Sequence, residues 1–141
     1  MPQPSCELRS FQAPVMMFYR SNEDDEAAPS LHHYHEGYEL YYLFNGYRAM
    51  AVENKEYMLR PGDLLLLPPK LGHQSWAVEN MPQNHVVVNV EAGFLEQLMQ
   101  QAAVPEMPQL LNGKERVLRL PSNQQFLLDS LLYELQQELT T

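Results

Sequence analysis

His33-Tyr34-His35-Glu36-Gly37-Tyr38-Glu39-Leu40-Tyr41-Tyr42-Leu43-Phe44-Asn45-Gly46 is the stretch on which the reading of this chain turns. Its aromatic content and its closing turn pair describe a strand. Successive side chains of a strand point to opposite faces, so His33, His35 and Glu39 share one face. Gly37 lies between them on that face and leaves space. Tyr41 and Leu43 continue the same row, Tyr41 as a candidate pocket residue and Leu43 as ordinary core. Asn45-Gly46 is a strong short hairpin signal, predicted to return the chain through Tyr47–Val52.

From Leu31 to Val90, short β-prone runs alternate with turn signals about every ten residues, the pattern of a sandwich or barrel. Asn54-Lys55 and Pro61-Gly62-Asp63 are turns. Leu64–Leu67 reads as a strand buried on both sides. Pro68-Pro69-Lys70-Leu71-Gly72 breaks it, and Gln74–Val78 and His85–Val90 are further strands. His73 follows the Pro68–Gly72 break; if the sheet closes, it meets His33, His35 and Glu39 inside. Trp76 is a candidate for stacking on a ligand ring, with interior packing as the alternative. His85 opens the last strand, and its role is open.

Three neutral imidazoles and one carboxylate make a competent site for a divalent metal, with Zn, Ni, Fe or Mn as candidates. On an octahedral ion they would leave two positions for water or substrate. The same four side chains can instead recognise sugar hydroxyls or a carboxylate without a metal, or serve only the structure. The residues alone leave these three uses open. No Ser-His-Asp arrangement, phosphate loop or CxxC is legible, and Cys6 has no base beside it. No residue is therefore assigned as catalytic.

Outside this body the text changes. Met1–Phe11 is polar with two prolines and reads as an irregular lead-in, not a secretory leader. Val15–Arg20 is a short strand. Ser21–Ser30 is an acidic loop. After Val90, the positions Phe94, Leu95, Leu98, Met99 and Ala102 recur at helical spacing. A second helix opens at Ser122, three residues before Gln125 in a capping-box spacing. It carries Leu128, Leu131, Leu132, Leu135 and Leu139 on one face, wide enough for the barrel and a partner helix. The layout is residues 1–30 as arm, first strand and acidic loop, 31–90 as β-barrel core, and 91–141 as two C-terminal helices.

With 141 residues, one domain is the natural expectation. A single cysteine excludes an internal disulfide and suits a reducing compartment. Nine Lys and Arg stand against 18 Asp and Glu, a formal charge of −9. That balance argues against DNA binding by this chain alone and against an anionic membrane surface. The longest aliphatic run, Leu64–Leu67, is far too short to cross a bilayer.

The run from His33 resembles the first cupin motif, with matching spacing from His33 through Glu39 to Gly46; Ala27 stands where that motif begins with glycine. Gly62, Pro68 and His73 resemble the second cupin motif, with Lys70 in place of its inner glycine and Ala77 in place of its final asparagine. Gly62-Asp63, Leu64–Leu67, Pro68-Pro69 and His73 resemble the sensor domain of AraC-type transcription regulators over about residues 30–140. The resemblance implies a mainly β, double-stranded β-helix (jelly-roll) barrel with two trailing helices. It also implies a cytoplasmic homodimer that binds a small effector, often a sugar, and requires no metal. Residues 1–14 would be a mobile arm over the pocket. DNA would be read by a further domain with two helix-turn-helix units, for which nothing after Ser122 has room. Two alternatives are a small metal-dependent cupin enzyme, a dioxygenase or isomerase, and a binding protein without a regulatory partner. In the enzyme, His33, His35, Glu39 and His73 would hold the ion.

Overall fold

A computed structural model of the chain describes residues 6–10, 12–27, 32–78, 81–105 and 107–140. The start of the lead-in before Cys6, the end of the acidic loop and part of the loop after Val78 lie outside the described residues. In chain order run β1 (Glu7–Arg9), β2 (Val15–Ser21), α1 (Asn22–Ala27), β3 (His33–His35), β4 (Gly37–Asn45), β5 (Arg48–Val52) and β6 (Lys55–Leu59). They are followed by β7 (Asp63–Leu67), β8 (His73–Ala77), β9 (Asn84–Glu91), α2 (Ala92–Ala102), α3 (Met107–Leu111), β10 (Arg116–Arg119) and α4 (Ser122–Thr140).

The strands form two five-stranded sheets, ordered β1-β3-β8-β5-β6 and β10-β7-β4-β9-β2. Pairing is antiparallel except between β1 and β3. The chain passes repeatedly from one sheet to the other, and this makes the jelly-roll barrel. Between the sheets lies a layer of Tyr41, Leu43, Met50, Val52, Leu59, Leu65 and Leu67. The opposite face of the second sheet carries Tyr42, Leu64, Val86 and Val88, covered by Leu128, Leu132 and Leu135 of α4. Leu64–Leu67 is apolar throughout because it is covered on both faces, as its uninterrupted run predicts. Each leucine side chain so buried contributes ~2 kcal/mol.

Several local expectations change. Asn45-Gly46 does not close a hairpin: β4 pairs with β7 and β9, while β5 pairs with β6 and β8. The pair instead carries the chain from one sheet to the other, with Gly46 at φ +75°. The tight hairpin is the next one, where Val52 faces Lys55 across Glu53-Asn54. The first part of the acidic loop is helical. Asp24 Oδ2 accepts the Ser21 backbone N–H at 2.6 Å. That is one half of a capping box, and carboxylates suit the positive end of a helix. At α4 the expected Ser122–Gln125 box is replaced. Gln125 N–H bonds the Pro121 carbonyl, and its side-chain amide donates to the Leu120 carbonyl at 2.7 Å. The lead-in is not wholly irregular, since β1 adds to the first sheet. Among the described residues, α3 is an addition to the two-helix tail, whereas β10 falls on the short extended piece that Val117–Leu120 suggests.

Candidate ligand and metal site in the barrel

His33 and His35 enter the interior from β3 and Glu39 from β4. Alternation puts His33 and His35 on one side of β3. The single strand expected through this stretch is broken at Glu36, where the chain crosses to the opposing sheet and Glu39 faces them from β4. His73 arrives on the neighbouring strand, directly across from His33 in the register. All four are buried. One donor atom from each can be chosen so that all lie within 4.8 Å of one another. His35 Nε2 is 3.4 Å from Glu39 Oε1, and His73 Nε2 is 3.0 Å from Glu39 Oε2. The His33 ring lies 4.3 Å from that of His73 and 4.9 Å from that of His35 between centroids.

Electrostatics follow from this packing. Burial alone would raise the Glu39 carboxyl, but His73 and His35 outweigh it by charge and hydrogen bonding and hold the carboxyl below its usual range. Burial lowers the His73 imidazole, yet Glu39 and the Leu71 carbonyl raise it above its ordinary value on balance. His73 Nδ1 sits 2.9 Å from the Leu71 carbonyl. A carbonyl only accepts, so Nδ1 carries a proton and Nε2 faces Glu39. A carboxyl held low stabilises the fold above its unfolded pKa of about 4.5 and loses that contribution as pH falls. An imidazole held high stabilises fully below about 6.5 and loses that contribution as pH rises through its folded value. Metal-free protein is therefore expected to lose Tm as pH rises above about 6.5, with a shallower slope in His73→Gln. Parallel slopes from calorimetry would contradict the pairing.

The Lys70 departure from the cupin motif does not open the turn before His73. Lys70 takes φ +70°, the left-handed conformation a glycine would adopt. Its N–H donates to the His35 carbonyl at 2.7 Å, tying the turn to the strand that bears two of the histidines. A non-glycine residue there costs ~1 kcal/mol. Lys70→Gly is expected to raise stability by up to about that amount, less the entropy a glycine adds to the unfolded chain, read from urea midpoints.

Beyond the cluster, the barrel encloses a cavity of about 430 Å³. Tyr41 lines it. Trp76 does not: the alternation that turns His73 and Ser75 inward sends Trp76 out, where it is 39% exposed. The expected ring-stacking role is corrected on that ground, and the parity of His73 already carried the signal. Sequence reasoning also passed over Arg48, Ser75 and Asn89 and left the role of His85 open; all four are buried and line the cavity. Arg48 donates to Ser75 Oγ from Nε at 3.2 Å and from Nη2 at 3.0 Å. Tyr41 OH lies 3.4 Å from the same oxygen. The His85 ring stacks on Tyr41 at 4.5 Å, and its Nδ1 meets Gln83 Oε1 at 2.8 Å. Burial raises the Tyr41 phenol well above its usual range despite Arg48. It is a neutral donor at physiological pH. Histidine parity along β9 could have flagged His85 and Asn89; nothing short of the tertiary pairing flags Arg48.

The leucines of the last helix divide. Leu128, Leu132 and Leu135 pack on the barrel, whereas Leu131 and Leu139 are exposed, as are Phe126, Leu127 and Tyr133. Among the described residues, no helix is long and apolar enough to cross a membrane.

The family of AraC-like ligand binding domains matches this chain over residues 15–137. An uncharacterized HTH-type transcriptional regulator of Bacillus subtilis, YbfI, is 28% identical over 69 residues, 49% of this chain and 25% of its own length. An uncharacterized protein of Methanocaldococcus jannaschii, MJ1618, is 31% identical over 52 residues, 37% of this chain and 42% of its own. The chain thus spans a quarter to two fifths of these relatives. Among solved structures, apo ToxT of Vibrio cholerae is similar with a TM-score of 0.59 at 10% identity, over 89% of this chain and 49% of that one. ToxT bound to (E)-4-(8-methylnaphthalen-1-yl)but-3-enoic acid is similar with a TM-score of 0.56 at 11% identity, over 87% and 49%. Wild-type ToxT with bound unsaturated fatty acid is similar with a TM-score of 0.51 at 11% identity, over 79% and 44%.

Proposed function

Because the chain belongs to the family of AraC-like ligand-binding domains, we propose that it is the effector-sensing and dimerisation part of a cytoplasmic AraC-type transcription regulator. The observation that carries this reading is a barrel interior that is not filled. A cavity of about 430 Å³, within the size range of small-molecule sites, has convergent polar groups on its walls. Small organic acids bound to the similar ToxT fold support it. The effector prefers one arrangement of the barrel and its N-terminal segment, and that preference biases an attached DNA-reading domain. Arg9, Ser10 and Gln12 line the cavity, so the segment around β1 would feel its occupant directly. The formal charge of −9 leaves DNA to that other domain. The exposed apolar side of α4, Phe126, Leu127 and Leu131, would meet a second copy.

The test is calorimetric titration of the chain with sugars and small organic acids, beside a Val87→Trp variant that fills the cavity. Saturable binding without turnover, lost in Val87→Trp, is expected. Indifference of wild type to every compound, or equal binding by Val87→Trp, would remove the reading. Sedimentation should show a dimer, and a strict monomer at high concentration would remove the dimer part.

His33, His35, Glu39 and His73 also fit a divalent ion: buried, convergent, and with the His73 tautomer set by the Leu71 carbonyl. Such an ion would supply a Lewis-acid anchor for an oxygen of the occupant. Reconstitution with Zn, Ni, Fe or Mn is expected to load about one equivalent, and His35→Ala to lose it at least tenfold by elemental analysis. The metal-dependent enzyme reading needs both that ion and turnover. Loading without turnover leaves the sensor.

A further inference from the structure

The strand register divides the cavity wall into levels. Glu39 on β4 faces Asn89 on β9, and Asn89 faces Met16 on β2. Two residues on, Tyr41 faces Val87, and Val87 faces Phe18. In the opposing sheet Val52 faces His73 and Met50 faces Ser75, the same two-residue step. One end thus holds the histidine–glutamate cluster with Asn89. The next level, one pleat repeat or about 7 Å away, holds Tyr41 and Ser75 among Met50, Val87 and Phe18. Arg48 lies one step further along β5, but its guanidinium reaches back to Ser75, so its charge sits at that second level.

The charges on this wall oppose those of the whole chain. Of only nine basic residues, Arg9, Arg20 and Arg48 line the cavity; of 18 acidic ones, Asp24 and Glu39 do so among the described residues. Both carboxylates are engaged by their own neighbours. Asp24 accepts from Ser21 N and Oγ, and Glu39 is paired with His35 and His73. At the other end Asn89 Oδ1 is buried and meets no donor among the described residues. A buried carbonyl oxygen without a donor is costly to leave so, and a ligand that donates to it relieves the cost.

Resting on the sensor reading above, we propose that the effector is a short carboxylic acid with a hydroxyl or amino group at its far end. The carboxylate takes the Arg48 guanidinium with the Ser75 and Tyr41 hydroxyls. Arg20, across the cavity on β2, adds charge. The distal hydroxyl or amine donates to Asn89 Oδ1 beside the histidine–glutamate cluster. The connecting carbons lie along Met50, Val87 and Phe18. A guanidinium suits this role because it holds its charge at any physiological pH and binds carboxylates in a forked, directional geometry.

The probes are 6-hydroxyhexanoate, hexanoate and 1,6-hexanediol, which share a chain length near the separation of the two levels. Each is titrated into the 141-residue protein with readout by calorimetry and by the Arg48 side-chain NMR resonance. Wild type is expected to bind both carboxylates at least tenfold tighter than the diol, and 6-hydroxyhexanoate tighter than hexanoate. Arg48→Gln should remove the preference for carboxylate, and Arg48→Lys should restore part of it. Because Arg48 is buried, Arg20→Gln on the exposed edge strand serves as a second variant and should reduce the preference in a protein that folds. Asn89→Ala should erase only the advantage of 6-hydroxyhexanoate over hexanoate. Equal binding of diol and carboxylates, or a preference unchanged in Arg20→Gln and Arg48→Lys, would overturn the proposal. So would neutral sugars binding in the Val87→Trp-sensitive cavity while all three probes fail, and in that case the sensor reading stands. Failure of every compound would remove the sensor reading itself.

Discussion

Gly46→Ala is expected to destabilise the domain by roughly 3 kcal/mol, read as a lower urea midpoint at unchanged slope. The residue sits at φ +75°, which costs an L side chain ~1–2 kcal/mol. A β-carbon there would also collide with the Pro82 carbonyl and come within 2.8 Å of Gln83 Cβ and 2.9 Å of its Cα. Forcing backbone apart adds ~1–3 kcal/mol. The segment it strikes is clamped: Asn22 donates to the Met81 carbonyl at 2.6 Å and accepts from Gln83 N at 3.1 Å. Gln83 in turn holds His85 in the cavity wall. Loss of effector affinity should therefore accompany the loss of stability. A cost below about 1 kcal/mol would show the Asn45–Arg48 crossover to be compliant rather than fixed by this contact.

Glu39→Ala is expected to cost ~3 kcal/mol at pH 5.5 and less at pH 8. The carboxylate is what keeps the His73 imidazole raised. Without it a buried cation has lost its partner, so His73 must deprotonate on folding. That requirement costs most where the unfolded chain binds the proton, below about 6.5. Chemical denaturation of metal-free protein across pH measures it, and a penalty independent of pH would assign Glu39 a packing role. Metal loading should fall with it, since the only carboxylate among the cluster's four donors is removed.

The histidine–glutamate cluster was legible because a strand enforces parity. Odd numbering places His33 and His35 together on one strand. The strand expected to run on to Glu39 breaks at Glu36, and Glu39 joins them because β4 lies in the facing sheet. The same rule, applied from His73, would have sent Trp76 outward and Ser75 inward. The Leu64–Leu67 run announced its burial on two faces by having no polar alternation. Asn45-Gly46 misled because its turn chemistry reports only backbone conformation. A positive φ serves a crossover between sheets as well as a hairpin within one. Lys70 carries no local signal of its conformation: at φ +70° its N–H meets the His35 carbonyl, a contact between distant parts of the chain.

Composition and strand period determined by themselves a β sandwich or barrel with His33 and His35 on one face. The cupin resemblance, carried by the spacing of His33, His35, Glu39, Gly62, Pro68 and His73, added the closed barrel that brings the four donors together. Those signals are local, arising from backbone geometry over a few residues. Only the tertiary structure decided what shares the cavity with the donors: Arg48 on β5, in the sheet that holds the three histidines, its charge carried back to Ser75, and Asn89 beside Glu39 in the opposing sheet. Which side chains share a cavity depends on pairing between strands far apart in sequence. No short-range pattern encodes that pairing, because it is set by how two sheets close on a common core.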